Sequence, residues 1–337
     1  MVNIVYLAYG REEEYRRAVF SALSFLFFHG SSEHFRLIIA TDNQEYFDRF
    51  LKGADVEYFL LSQFDLTEMV DESGYIHRRK ICVLDKIAHV YPERDIFYLD
   101  SDTFFVKNSL DVLKKLNAGT SIMHVREYSL GEVQQIYKKF MGDKFENALQ
   151  YPERFLKLIS KTIFEIEGEK ISFNLTHQVW NSGTVGISKS NLHLLKGILS
   201  LSDIFFPSTG WFISEQIAFS LLLQEKTRLA PFSNYLVHYY GCKARVDHLV
   251  REILTPEFAE RAIAEKVKSI GSLLPALKKI VSHDQFFSIS ANAFKRRKIY
   301  KGASFLIKAL LNIPLSRLFW SYLGLRSAEL KAALRAH

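Results

Sequence analysis

The sequence predicts an α/β fold built on a mostly parallel sheet, and three observations carry that prediction. Through the first hundred residues, short apolar runs alternate with stretches of helical period, the order that a parallel sheet with crossover helices requires. Apolar residues make up 48% of the chain and charged residues 24%, the balance of a globular protein with a packed core. At 337 residues the chain exceeds what one core needs, so a main domain with an appended element is expected.

Taken in order, residues 3–8 read as a first buried strand and 13–28 as an amphipathic helix, with Ala18, Ala22, Phe25 and Leu26 on one face. Residues 36–41 make a second strand, 44–51 a helix, 56–61 a third strand, and 79–90 a helix that Pro92 stops. Residues 95–99 are the fourth strand, followed by a helix near 110–116 and a strand near 121–125. Over 128–176 the period blurs into mixed helical fragments, as it does where α/β enzymes carry substrate-specific insertions. Regularity returns with a strand over 179–187, a helix across 214–223 and a strand at 235–239. From His248 onward the pattern is helical, with Pro256, Pro275 and Pro314 as punctuation. No internal repeat or low-complexity segment interrupts it.

The net charge of +7 is not spread over the chain. From Phe294 to His337 ten Lys or Arg face only Glu329, so the tail carries +9 and residues 1–293 carry −2. A nearly neutral body with no nucleic-acid motif excludes nucleic acid as the partner. Cys82 and Cys242 form neither a CxxC pair nor a disulfide framework, which fits a reducing cytosol. The N-terminal run has no basic leader and turns acidic early, so no secretory signal is expected. No stretch reaches the ~18 uninterrupted apolar residues of a membrane span; 303–322 is broken by Lys308, Pro314 and Arg317.

The strongest chemical signal is Phe97-Tyr98-Leu99-Asp100-Ser101-Asp102, an apolar strand that ends in two carboxylates one residue apart. In extended chain both point to the same side, and in open parallel sheets ligands collect at the carboxyl ends of strands. Such a pair suits Mg²⁺ or Mn²⁺ bridged to substrate phosphates. Alone, Asp-x-Asp is equally a surface turn. Downstream, His238-Tyr239-Tyr240-Gly241-Cys242-Lys243 offers an imidazole for a metal, a glycine that permits close backbone approach, and an ammonium for phosphate. In the segment from Trp180 to Gly186, Asn181 and Ser182 can hydrogen-bond sugar hydroxyls. Glu215 and Gln216 at a helix start can reach the reacting carbon; read structurally, Ser214 is an N-cap and Glu215 a first-turn acid on the helix dipole.

In this order the motifs resemble the GT-A fold glycosyltransferases, especially the retaining group that includes glycogenin and the bacterial lipopolysaccharide galactosyltransferases. The likeness spans roughly residues 3–245: a first strand ending in Ala8-Tyr9-Gly10, a basic residue on the helix before the metal strand, then YLDSD, NSG, EQ and HYYGCK. It implies a metal-dependent hexosyl transfer from a nucleotide-diphosphate sugar, UDP being the commonest base, to a glycan or lipid-linked acceptor. Asp100, Asp102 and His238 would hold Mn²⁺ or Mg²⁺ against the donor diphosphate, and Lys243 would neutralise phosphate. Arg79 or Lys80 is the donor-binding base, with Arg78 beside them leaving the register open. Ala8, Tyr9 and Asp42 would line the nucleoside pocket, and Ser101, Ser182 and Gly241 complete the donor set. Asn181, Glu215 and Gln216 are the catalytic candidates, Glu215 orienting the acceptor and Gln216 stabilising the anomeric centre. The implied organisation is a GT-A unit over 1–247, with a nucleotide-binding half over 1–127 and an acceptor-side half over 128–247, and a helical basic extension over 248–337.

The chain departs from the family in two places: relatives set the lysine six residues after the histidine and follow it with Pro-Trp, where this chain has five and then Ala244-Arg245, and they carry Asp-Gln in place of Glu215-Gln216. Retention, which the resemblance implies, needs no general base on the far face; inversion would make Glu215 that base. Two other functions stay open: a phosphatase of the haloacid-dehalogenase type, which DSDTF at 100–104 superficially resembles although position 104 is Phe, and a catalytically silent nucleotide- or glycan-binding domain. The tail from residue 294 joins Lys295–Lys298 to aromatic and aliphatic residues, a composition that suits the anionic face of the cytoplasmic membrane as well as a helix pair packed on the core.

Overall fold

Strand β1 (Val2–Leu7) is apolar at every position but Asn3 because it is covered on both sides. Ile4 and Tyr6 enter one hydrophobic layer and Val5 the other, the period of two that an extended chain imposes. The computed structural model describes residues 2–30, 33–141 and 146–335; residues 142–145 of the irregular segment and 336–337 of the tail lie outside them. After β1 come α1 (Glu12–His29), β2 (Phe35–Thr41), α2 (Gln44–Leu51), β3 (Val56–Leu60), α3 (Gln63–Glu68), α4 (Arg78–Val90) and β4 (Asp95–Leu99). β1 pairs in parallel with β2 and β4, and β2 with β3. Leu37, Ile39, Phe97 and Leu99 join the layer under α1, while Ile38, Ala40, Ile96 and Tyr98 join the layer under α4.

The next segment holds β5 (Thr103–Phe105), α5 (Leu110–Leu113), β6 (Thr120–Met123), β7 (Arg126–Ser129), α6 (Val133–Met141), α7 (Glu146–Ile159), β8 (Phe164–Ile166) and β9 (Glu169–Ile171). The strand expected over 179–187 is two strands in different sheets. β10 (Gln178–Trp180) pairs with β7, and β11 (Thr184–Ile187) lies antiparallel between β4 and β6. The break falls at Asn181, whose backbone N–H donates to Val125 O and whose carbonyl accepts from His124 N, so its groups leave the main ladder. Helices α8 (Leu194–Thr209) and α9 (Ser214–Lys226) lead into β12 (Arg228–Pro231), which pairs in parallel with β6. The seven-stranded sheet runs β12-β6-β11-β4-β1-β2-β3, and only β11 reverses the direction. The α/β class with a mostly parallel sheet and a helical C-terminal region is therefore what the chain adopts.

β13 (Leu236–His238) pairs with β5 in a short ribbon, and α10 (Lys243–Ile253), α11 (Pro256–Ala259), α12 (Ile263–Lys295), α13 (Ile299–Leu311) and α14 (Arg317–Arg335) complete the chain. Pro256 opens α11 behind the Thr255 cap, and Pro314 separates α13 from α14. Pro275 does not punctuate: α12 runs through it. The proline removes one helical hydrogen bond and crowds the carbonyl of Gly271, a local cost that the packing of α12 against α1 and α13 outweighs. Gly271 also sits where α12 crosses α1, since a Cβ there would lie 2.1 Å from the Phe27 ring. Ser214 is likewise not an N-cap: Ile213 holds that place, and the Ser214 hydroxyl donates to Trp211 O.

Candidate active site

Two short ribbons assemble the site. In the first, the register sets His238 opposite Thr103, and Tyr239 N donates to Asp102 O at 3.1 Å, so the imidazole is delivered to the carboxylates that end β4. In the second, β10 beside β7 brings Asn181 next to Glu127. The turn after Asn181 is tied to the end of β4 by Asp100 N, which donates to Gly183 O at 3.0 Å.

Asp100, Asp102 and His238 place ligand atoms within 4.8 Å of one another. His238 Nε2 lies 3.3 Å from Asp102 Oδ1 and 3.8 Å from Asp100 Oδ2. Its Nδ1 is bonded to Asn181 Oδ1 at 2.9 Å, which fixes the tautomer that leaves Nε2 free as a ligand. Gly183 makes room for this ring, because a Cβ there would come within 2.2 Å of His238 Nδ1. Two carboxylates and an oriented imidazole at this spacing fit a divalent cation. Burial works against the Asp102 charge, yet His238 and Lys243 hold its carboxyl below the ordinary range.

Around this group lies a buried polar network. Lys80 Nζ stands 2.7 Å from Glu215 Oε1, 3.1 Å from Asp100 Oδ1 and 3.2 Å from Ser182 Oγ. Burial opposes the Lys80 charge, but Asp100 and Glu215 outweigh it and raise the ammonium above the ordinary lysine range. The Ser182 hydroxyl donates to Glu215 Oε1 at 2.8 Å, and Ser182 N donates to Gln216 Oε1 at 3.3 Å. Lys243 Nζ meets Asp102 Oδ2 at 3.0 Å. Of the three consecutive bases on α4, Arg78 turns away to Asp203, Arg79 covers the Tyr9 ring at 4.8 Å, and Lys80 enters the network.

These residues line one cavity of about 1220 Å³, shared by Tyr9, Arg79, Lys80, Asp100, Ser101, Asp102, Asn181, Ser182, Glu215, Gln216, His238 and Lys243. Ala8, Asp42 and Gly241 are not part of its wall. Ala8 is buried in the ladder with Ala40, Asp42 accepts from Gly10 N and the Tyr15 hydroxyl, and Gly241 is exposed in the turn Tyr240–Cys242.

No family model matches the chain, and no curated protein matches it. Solved structures that it is similar to include glycosyltransferases. The galactosyltransferase LgtC, solved with donor and acceptor sugar analogues, shares 13% identity at a TM-score of 0.43, over 68% of this chain and 73% of that one. Mouse xyloside xylosyltransferase 1 also shares 13% at 0.43, over 68% and 84%. The glycosyltransferase GlyE of Streptococcus pneumoniae shares 10% at 0.41, over 81% and 63%.

The sequence reading missed Glu127 and His124. Glu127 on β7 accepts from Asn181 Nδ2 at 3.1 Å and Gln216 Nε2 at 3.0 Å, joining the two amides of the site. Burial lifts its carboxyl above the ordinary range, against the pull of those amides. His124, just past the end of β6, stands edge-on to His238 with ring centroids 5.6 Å apart, and burial above all pushes its imidazole down to about 3. A polar His-x-x-Glu just beyond an apolar strand was the available signal, by the same strand-end logic that found Asp100.

Proposed function

We propose that this chain is a GT-A glycosyltransferase that moves a hexose from a nucleoside-diphosphate sugar, UDP-linked, to a glycan or glycolipid acceptor with Mn²⁺ or Mg²⁺. One observation carries the reading: Asp100, Asp102 and His238 form a cation-sized group with an ammonium, Lys243, at its edge and the Asn181, Glu215 and Gln216 side chains in the same cavity. When bound, the cation supplies positive charge to the departing diphosphate. Lys243 adds charge at that end, and Tyr9 with Arg79 above it offers a face for the base. Asn181 orients His238, while Glu127 and Ser182 hold the Gln216 amide from both ends so that it presents one fixed face to the sugar. Glu215 Oε1 is committed to Lys80 and Ser182, which favours an orienting role for it over that of a general base, and with it retention. On this reading residues 1–127 contribute Lys80, Asp100 and Asp102, residues 128–247 contribute the acceptor side with His238 and Lys243, and 248–337 form the extension.

The test is release of nucleoside diphosphate from a panel of sugar donors, with Mn²⁺ or EDTA, in wild type and Asp102→Ala. Turnover that EDTA removes and the substitution lowers by about 100-fold or more is expected. Free phosphate from a monoester, or donor binding without transfer, would replace the reading with a phosphatase or a silent binding domain.

The extension carries the second contact. Its inner face is packed, with Ala309, Phe319 and Tyr322 buried, but Tyr300 is 95% and Leu315 100% exposed, with Leu311 and Trp320 open beside them. Lys295, Lys298, Lys301, Lys308 and Arg317, near them in sequence, are exposed as well. Exposed apolar groups interspersed along the chain with exposed cations suit an anionic lipid surface, such as the cytoplasmic membrane face. No helix among the described residues is long and apolar enough to cross a membrane.

A further inference from the structure

Lys243 opens α10, and the same helix is gripped from two sides by ion pairs whose outer partners, Arg17 and Asp284, are buried. On one side Asp247 accepts from Arg17 Nε of α1 at 2.7 Å; Arg17 Nη1 also reaches Glu14 at 2.6 Å, and Glu14 Oε2 accepts the hydroxyl of Ser101, the residue between the two site carboxylates. On the other side Arg245 Nη1 lies 3.1 Å from both oxygens of Asp284 on α12. Asp284 is 3% exposed and also accepts from the Tyr322 hydroxyl at 2.8 Å and faces Arg326 Nη2 at 3.2 Å, both on α14.

A buried charge cluster is a weak source of stability, because desolvation offsets most of its attraction. What it supplies is direction, since a guanidinium meets a carboxylate in few orientations. Apolar packing by Val246, Leu249 and Val250 already seats α10 in the core. It leaves the pitch and rotation of the helix to the ion pairs that Arg245 and Asp247 make in its first half. We infer that Asp284 is a positioning residue: through Arg245 it orients α10 and so holds Lys243 Nζ against Asp102, making the C-terminal helices part of the diphosphate end of the site. The contact stands on its own geometry; its consequence for turnover rests on the transferase reading.

Two measurements test it. Donor turnover is compared across Asp284→Asn, Lys243→Ala and the double variant. Asp284→Asn is expected to lower kcat by about tenfold in the native background and by less than about twofold once Lys243 is gone. Equal losses in both backgrounds would assign Asp284 to general folding and overturn the inference. Hydrogen exchange over residues 243–250, read with no donor or metal present, is expected to speed up in Asp284→Asn while the sheet stays protected; unchanged exchange there overturns the inference whatever happens to turnover. If the wild type turns over no donor and exchange responds as expected, the transferase reading falls and the positioning contact stands. Where Asp284→Asn gives too little folded protein, Arg245→Met carries both measurements, because it leaves Asp284 with Arg326 and Tyr322.

Discussion

Asn181 does more than its place in a polar turn suggested. Its side-chain oxygen accepts hydrogen bonds from His238 Nδ1 and Gly183 N, and its nitrogen donates to Glu127, so one amide fixes a tautomer and joins two halves of the cavity. Groups that orient a metal ligand in this way are typically worth about 10–100-fold in metal affinity. Asn181→Ala is therefore expected to weaken Mn²⁺ binding by about that factor in calorimetry. Affinity within about twofold of the native value would show that His238 is held by its strand instead. The residue types of Asp100, Asp102, His238, Glu215 and Gln216 were legible because each stands at an element's end, where a polar side chain interrupts an apolar pattern. For Glu127 the place beyond β6 was a signal but its contacts were not, because it sits in a short ribbon whose partner, β10, is some fifty positions away, as the bond between residues 126 and 178 shows.

Apart from α3, which the pattern does not give, the elements of the first hundred residues were legible almost to the residue, as α2 and β4 show, because their ends are marked locally. Helix α3 carries such a local mark too, though it is too short to show a period: Ser62 Oγ accepts from Asp65 N at 3.1 Å and Asp65 Oδ2 accepts from Ser62 N at 3.0 Å, a reciprocal cap. Lys86 and then Ser62 bring the Asp65 carboxyl down to about 2. With an ordinary unfolded value near ~3.9, the folded pKa is depressed, so its contribution is present above that value and lost as pH falls towards about 2. Because Lys86 is partly exposed, Asp65→Asn is expected to cost at most about 1 kcal/mol at pH 7, and almost nothing at pH 2, in urea unfolding curves. A pH-independent difference would mean that the carboxylate charge is not what stabilises the cap. The strand over 179–187 was misread for the opposite reason: both its halves are apolar, and only their partners distinguish them.

Across the chain, charge and topology divide the labour. The sheet and its helices are nearly neutral and build the cavity, while the basic extension packs one face on α1 and α10 and leaves the other open. Full-length protein is expected to pellet with anionic vesicles at low salt and not with neutral ones. Replacing Tyr300, Leu311, Leu315 and Trp320 by Ser should abolish pelleting without changing the fold, as these side chains are already exposed. Pelleting that survives the replacement, or that ignores lipid charge, would remove the membrane from the account.

Local pattern was enough for the α/β class, the order of the early strands, the carboxylate pair at the end of β4 and the basic tail, because periodicity, caps and strand ends depend on neighbours in sequence. Only tertiary structure decided that His238 stands on Asp102, that Lys80 and not Arg78 enters the site, that α12 passes through Pro275, and that Asp284 holds the helix of Lys243. Each of these depends on strand register or on a crossing between distant helices, and those contacts leave no period in the chain that makes them.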